Sequence, residues 1–183
     1  WRVVYDHDTN IYSATTRTNF TFRSGPFRYY VNDSSTNRDG YCTAPGSDVN
    51  LGTSPGSPKA TLKSLLQQHD LEPGDIIYVD TGFYDVGGGD APVFATLDSG
   101  GTNGVVLVQG STNYAAGGTV ISKTGISIGP DVGYLDFRDL TFTNLAAGLA
   151  ISGASNINIT SVQAVRCGSG ITVQSASRNI VID

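Results

Sequence analysis

The sequence predicts an all-β fold in which short strands stack, coil upon coil, as a parallel β-helix solenoid. Apolar triplets recur every 22 to 23 residues in the second half of the chain, and each triplet alternates apolar and polar positions. Glycine turns separate the triplets. The composition agrees, because glycine supplies 23 of the 183 residues and charged residues only 15%, which favours turns and strands over helical bundles.

The repeat consists of two columns of triplets with one shared period. The triplets of the first column start 23 and 22 residues apart, at Ile126, Leu149 and Ile171. Those of the second column start 22 and 23 residues apart, at Leu135, Ile157 and Ile180. A single coil cannot bury its own apolar row, so we expect successive coils to stack at a strand spacing of ~4.8 Å. We expect four to six coils.

The chain before the repeat divides into two parts. Residues 1–28 contain two short β-type runs, at 2–5 and 19–23, and are interpreted as a strand-rich linker or the end of a preceding module. Residues 29–183 are interpreted as a capping segment followed by the first coils of a solenoid that continues beyond them. A chain without methionine is expected to be a processed or excised piece.

The capping segment contains one predicted helix. Leu62, Leu65 and Leu66 recur at the spacing of a single apolar helix stripe, and Leu71 extends the apolar contact beyond the helix end. Ser57 is predicted to cap the helix, with the proline that follows it at the first helical position. A long polar loop, residues 32–58, precedes the helix.

Two parts of the chain resemble the right-handed parallel β-helix superfamily, also called pectin-lyase-like. The first contains GTSP at 52–55, PKATL at 58–62 and PGDIIYVDTGFY at 73–84, which in that superfamily mark an N-terminal capping α-helix and the first coil. The second is the repeat itself, residues 104–183. The resemblance implies that Asn156 and Asn179 form an inward asparagine stack. It also implies a large secreted or surface protein of bacteria, located outside the cell.

Composition and charge disfavour several classes of partner. The net charge of −5 and the lack of a basic run disfavour nucleic-acid binding. No apolar run approaches the roughly 20 residues that span a bilayer, so no membrane insertion is expected. Cys42 and Cys167 do not have zinc-site spacing. They form one disulfide or stay free and buried, and the sequence leaves both alternatives open.

One surface patch is a candidate ligand-binding site. Outward positions of the second column place Asp136, Arg138 and Asp183 near one another, where a carboxylate and a guanidinium could bind a uronate or a cation. An ordinary surface ion pair is the alternative. Asp136 has no second carboxylate in its own row, as a hydrolytic carboxylate pair requires, so no catalytic residue is predicted.

Two further patterns bear on ligands. Asp6, Asp8 and Asn10 have the spacing of oxygen ligands for calcium, the one metal cofactor considered, although Ile11 occupies the glycine position of an EF-hand loop. A plain turn is the alternative. Several aromatic side chains offer either sugar-stacking faces or interior packing, namely Tyr29, Tyr30, Tyr78, Phe83, Tyr84 and Tyr114.

Three functions are consistent with this sequence. The first is a non-enzymatic module of a large extracellular or cell-surface protein, acting as a rigid spacer, an adhesin or a carbohydrate-binding surface for a polysaccharide or cell-surface glycan. The second is the N-terminal part of a polysaccharide lyase, hydrolase or epimerase whose catalytic coils lie beyond residue 183. The third is a filament subunit that self-associates end to end through open β-helix ends.

Overall fold

A computed structural model of the chain describes residues 2–4, 11–13, 25–85 and 91–183. Strands β1 (Arg2–Val4) and β2 (Ile11–Ser13) pair antiparallel in a two-stranded sheet of their own. The sequence predicted β1 but not its partner. The predicted strand at residues 19–23 lies outside the described residues.

The remaining strands form three parallel sheets, which we call sheets I, II and III. In chain order the elements are β3 (Arg28–Val31), α1 (Leu62–Gln68), β4 (Ile76–Val79), β5 (Gly82–Asp85), β6 (Val93–Phe94), β7 (Val106–Gly110), β8 (Thr119–Ser122), β9 (Ile126–Ile128), β10 (Gly133–Arg138), β11 (Leu140–Thr143), β12 (Ala147–Ser152), β13 (Ser155–Thr160), β14 (Gln163–Val165), β15 (Ser169–Gln174) and β16 (Arg178–Ile182). Short 3₁₀ turns lie at Thr96–Asp98 and Tyr114–Ala116.

From β4 onward the chain visits sheets I, II and III in turn. Sheet I has the order β16-β13-β10-β7-β4-β3, sheet II the order β14-β11-β8-β5 and sheet III the order β15-β12-β9-β6. Each strand pairs in parallel with the strand three positions further along the chain, so one passage through the three sheets forms a coil. The arrangement is compatible with a parallel β-helix, and it contains four coils within the expected range.

Strand register confirms both predicted columns. In sheet III Leu149 pairs with Ile126 on one side and with Ile171 on the other. In sheet I Ile157 pairs with Leu135 and with Ile180. Sheet II was not predicted as a column. Its interior positions hold side chains of unlike size, Ile121, Phe142 and Ala164, so its repeat is weak in the sequence.

Single residues in the left-handed conformation turn the chain at the corners. Lys123, Asn144 and Arg166 follow the strands of sheet II at equivalent positions and have φ angles of 65°, 55° and 56°. Left-handed backbone is uncommon outside glycine, and asparagine tolerates it best among the other residues. The corner conformation therefore repeats with the coil, although the residue type does not.

Buried apolar side chains from all three sheets form one core cluster between the sheets. Phe137 of sheet I is completely buried and meets Phe94 of sheet III edge to face, with ring centroids 5.5 Å apart. Such pairs favour this geometry because the ring edge is positive and the ring face negative. The core thus joins different coils as well as different sheets.

The helix begins later than predicted. Thr61 is the N-cap, and its Oγ1 accepts a hydrogen bond from the Ser64 N–H at 3.1 Å. The prediction of Ser57 as the cap was wrong because residues 58–60 are not helical and run along the edge of sheet I. There Lys59 pairs with Val31, and the Lys59 N–H donates to Tyr30 O at 2.9 Å. The apolar stripe is confirmed, since Leu65 is fully buried.

Both cysteines are free in the structure, so Cys42 and Cys167 do not form a disulfide there. Cys42 is buried, and this burial, together with the nearby Asp80 carboxylate, raises the pKa of its thiol well above the ordinary value. Cys167 is half-buried. Within residues 25–85 and 91–183, no helix is long and apolar enough to cross a bilayer.

Candidate functional site

The outer face of sheet I carries a set of aromatic and polar side chains. Strand residues alternate between the core and this face. Strand pairing aligns the outward residues into two rows across the sheet. One row contains Arg28, Ile76, Leu107, Asp136, Asn158 and Val181, and the other contains Tyr30, Tyr78, Gln109, Arg138 and Thr160.

Three tyrosine rings meet at the second row, and we call Tyr30, Tyr78 and Tyr41 the tyrosine ladder. Tyr30 and Tyr78 are stacked neighbours on β3 and β4, with ring centroids 5.6 Å apart and planes 28° apart. Tyr41 reaches the Tyr78 ring from the long loop, with centroids 4.6 Å apart and planes tilted by 38°. All three side chains are half-buried, so each ring keeps part of its surface in solvent.

A polar cluster continues the ladder on the next strands. Gln109 Nε2 donates to Asp139 Oδ2 and to Gly110 O, each at 2.7 Å. The Tyr41 hydroxyl donates to the same Gly110 carbonyl at 3.1 Å. The Tyr114 hydroxyl donates to Asp139 Oδ1. An amide, a carboxylate and two phenols therefore border one surface, a set that combines aromatic faces with hydrogen-bonding groups.

Both phenols of this cluster are held in the neutral form. Burial, followed by the charges of Asp80 and Asp139, raises the pKa of Tyr41. The hydrogen bond to Asp139 is the main cause that raises the pKa of Tyr114. A phenol that donates to a carboxylate resists losing its proton, because the phenolate would face a second negative charge. Both hydroxyls thus remain hydrogen-bonding groups at neutral pH.

The structure brings two of the three predicted patch residues together. Arg138 donates to Asp136 Oδ2 through Nη2 at 2.5 Å and through Nε at 3.1 Å. The Asp136 side chain is 4% exposed and that of Arg138 is 48% exposed. Asp136 chiefly raises the pKa of Arg138 by accepting its hydrogen bond. Asp136 Oδ1 is buried without a hydrogen-bond partner among the described residues.

Asp183 lies apart from this ion pair. It follows Ile182, which pairs with Ile159, so Asp183 is placed beside Thr160 in the row. Thr160 in turn pairs with Arg138. Two strand spacings, or about 9.6 Å, therefore separate the backbones of Arg138 and Asp183. The three residues therefore form an ion pair, Asp136 and Arg138, and a separate exposed carboxylate, Asp183, two strands from Arg138.

The two asparagines occupy equivalent positions on adjacent coils. Asn179 Nδ2 donates to Asn156 Oδ1 at 3.0 Å, and both residues are left-handed, with φ of 53° and 57°. Tyr134 holds the same position one coil earlier, with φ of 57°. The inward asparagine stack stays a prediction, since the structure shows one hydrogen bond between the two side chains and Asn179 is exposed.

The candidate calcium ligands Asp6, Asp8 and Asn10 lie outside the described residues, so the calcium site stays a prediction. Among the residues that the structure does describe, no three His, Cys, Asp or Glu side chains are grouped as a metal site. The cluster around Asp139 is accordingly built from one carboxylate, one amide and phenol groups.

The candidate aromatics divide between core and surface. Tyr29 and Tyr84 are buried in the core, whereas Tyr114 is 55% exposed beside the ladder. Phe83 is 53% exposed on the outside of sheet II, away from sheet I. The sequence analysis missed three residues of the site, Tyr41, Gln109 and Asp139. Outward alternation along β7 could have indicated Gln109, but a loop residue such as Tyr41 has no periodic signal.

Comparison with known proteins adds no relative. No family model, no curated protein and no solved structure matches this chain.

Proposed function

We propose that this chain is a non-enzymatic module of an extracellular or cell-surface protein, with a right-handed, pectin-lyase-like β-helix fold. Its role is to bind a polysaccharide or cell-surface glycan on the outer face of sheet I. The observation that supports this proposal is the tyrosine ladder, which lies beside the amide and carboxylate of Gln109 and Asp139.

The chemistry of the face suits a sugar chain. A pyranose ring presents C–H groups on its faces and hydroxyl groups around its edge. Half-exposed tyrosine rings offer apolar surface with a polar tip, and they lose little conformational entropy on binding. Gln109 and Asp139 supply fixed hydrogen-bonding groups for the hydroxyls. Ligand sites commonly combine apolar walls with a few placed polar groups in this way.

The charges nearest Gln109 favour a neutral glycan. Arg138 is already bonded through two nitrogens to Asp136, so its charge is largely compensated. Asp139 accepts two hydrogen bonds and stands beside the ladder without a bridging cation among the described residues. A polyuronate would bring carboxylates close to Asp139 in a chain of net charge −5, which is unfavourable.

The test is binding of the purified chain to matched neutral and uronate polysaccharides, by affinity electrophoresis and calorimetry. Tyr78→Ala removes the central ring of the ladder and is expected to weaken binding about tenfold or more. Phe83→Ala is the matched control, since it removes an exposed aromatic ring from sheet II and should leave affinity unchanged.

Two results would contradict the proposal. One is equal binding by wild type and Tyr78→Ala, and the other is no binding to any polymer. Unsaturated products or new reducing ends, with or without added calcium, would favour the alternative of a polysaccharide-active enzyme.

Self-association is a second candidate, favoured by the edge formed by β14, β15 and β16. Val165, Val173, Val181 and Ile182 on these strands are 47–58% exposed. The opposite edge of sheet I is covered, because residues 52 and 59 hydrogen-bond to β3. Where no further coil covers this edge, a second copy would meet this chain through the same edge and form a dimer. Sedimentation that stays monomeric at rising concentration would exclude it.

A further inference from the structure

We propose that Asp80 is a positioning residue for the glycan-binding face. Its carboxylate holds the loop that carries Tyr41, and this places the Tyr41 ring against Tyr78. The inference rests on the proposed function, because it assigns a role within the same site.

The Asp80 carboxylate is completely buried and accepts four backbone hydrogen bonds. Oδ1 accepts from the N–H groups of Gly40 and Thr81, each at 2.7 Å. Oδ2 accepts from Tyr41 at 2.7 Å and from Cys42 at 2.5 Å. Hydrogen bonds to an ionised group are shorter and stronger than neutral ones. Three of the four donors belong to the loop, so the carboxylate ties residues 40–42 to the end of β4.

The end of β4 carries the Tyr78 ring and also anchors the backbone of Tyr41. Asp80 follows β4, on which Tyr78 is an outward residue, and the Asp80 N–H donates to Val31 O at 3.0 Å. The backbone of Tyr41 is therefore held directly by this strand end. Its hydroxyl is held separately by Gly110 O at 3.1 Å. Backbone, ring and hydroxyl contacts together define the position of Tyr41.

Preorganisation gives this anchor a consequence for binding. Residues 32–60 contain no helix or strand in the structure, and such a loop loses conformational freedom when a ligand orders it. A loop that is already ordered avoids this cost at the moment of binding. Asp80 therefore strengthens binding by fixing the loop, although Asp80 itself does not contact the sugar.

Asp80→Asn is the sharpest change, because it keeps the shape of the side chain. The amide has one acceptor oxygen and an NH₂ donor, so at least one pair of backbone N–H groups would face a donor. Asp75→Asn is the matched control. Asp75 is also fully buried and stands at the other end of the β4 segment, but it accepts from Phe27 at 2.7 Å and Glu72 at 3.0 Å, away from Tyr41.

The experiment is a double-mutant cycle on glycan affinity, using a neutral polysaccharide bound by the wild-type chain. We expect Asp80→Asn to weaken binding about tenfold and Asp75→Asn to leave it unchanged, at a temperature where circular dichroism shows every variant folded. In the Tyr41→Ala background, Asp80→Asn should have no further effect. Equal losses with and without Tyr41, or an equal loss for Asp75→Asn, would overturn the inference.

A second readout does not depend on any glycan. The rings of Tyr41 and Tyr78 are close enough to give an NMR cross-relaxation signal, which Asp80→Asn should abolish and Asp75→Asn should keep. If the wild-type chain binds no polysaccharide, the proposed function fails, and this signal alone then decides whether Asp80 positions Tyr41. A signal that persists in Asp80→Asn would overturn the positioning role.

Discussion

The coils of residues 119–183 and the cap of residues 32–60 are held together by different interactions. In the coils, equivalent residues recur every 21 to 23 positions, and the strands stack apolar side chains such as Leu149 and Ile157 that are completely buried. The cap has no helix or strand. Its buried residues include polar ones, among them Asn32 and Lys59, which are 0% and 2% exposed.

The two buried polar side chains Asn32 and Lys59 of the cap each have specific partners. Asn32 Nδ2 donates to Ser35 O, Asp39 Oδ2 and Ala44 O at 2.7 to 3.0 Å. Lys59 Nζ donates to Asp48 O at 2.7 Å. A buried polar group that loses its partners costs more free energy than a formed hydrogen bond contributes. We therefore expect these contacts to form cooperatively. Coils can stack through any well-fitting apolar row, whereas the cap requires particular residues.

The largest expected effect comes from adding a methyl group where two backbones touch, once in each region. At Gly46 of the cap it would overlap Asn32 O and lie 2.6 Å from Lys59 O. At Gly125 of the coils it would overlap Ala147 O and Gly148 O. We expect Gly46→Ala and Gly125→Ala each to cost about 3 kcal/mol or more.

Hydrogen exchange should separate the two regions. Gly46→Ala should lower amide protection mainly in residues 32–60, whereas Gly125→Ala should lower it through the neighbouring coils, because each coil buries its row against the next. Gly56→Ala, whose added methyl would meet only Thr43 Oγ1 at 3.6 Å, is the tolerated control. Identical protection maps for the first two variants would show that cap and coils unfold as one unit.

A smaller effect is expected from the ion pair within the coils. Arg138→Met leaves Asp136 buried, with neither oxygen bonded to a described residue, and should cost about 2 kcal/mol. Lys123→Met is the control. It breaks the pair with Asp85, whose side chains are 58% and 40% exposed, and should change stability by less than ~0.5 kcal/mol.

Chemical denaturation measures both changes. Adding Asp136→Asn to Arg138→Met should recover part of the loss, because it removes the buried charge. If Arg138→Met and Lys123→Met lower the free energy of unfolding equally, the prediction that the buried pair contributes more than the exposed pair is wrong.

The smallest effect concerns Asp98, beside helix α1. Burial raises the pKa of its carboxyl to about 6, with a further contribution from Asp70, against the lowering effect of the Ala95 N–H. Between pH ~4 and ~6 the folded chain therefore binds more protons at this group than the unfolded chain does. The stabilisation is complete below pH ~4 and is lost as the pH rises through about 6.

Asp98→Asn should remove this dependence, because the amide can accept from Ala95 but cannot ionise. We expect the variant to be more stable than wild type above pH ~6.5, by about 1 kcal/mol. Below pH ~4 the two should be equal. Thermal unfolding across this range tests the prediction, and parallel stability curves for the two proteins would contradict it.

Prediction from the sequence was best where neighbouring coils repeat. The registers of Leu149 and Ile157 followed from spacing alone, since a shift of one residue would turn every apolar side chain outward. The candidate site was predicted less completely. Asp136 and Arg138 share one face of a strand and form an ion pair in the structure. Asp183 lies two strands from Arg138, a lateral distance that the pattern of one strand cannot show.

The sequence by itself determined that the chain is all-β, that its strands stack with a period of about 22 residues, and which residues of the two predicted columns face the core. These features depend on the alternation and the period of apolar residues, which can be read directly from the sequence. Only the tertiary structure decided where helix α1 begins, which tyrosines share a surface, and how Asp80 holds Tyr41. Those outcomes depend on contacts between residues that are distant in the chain, such as the hydrogen bonds from Gly40 and Tyr41 to Asp80. A periodic sequence pattern does not encode contacts made by the backbone of an irregular loop.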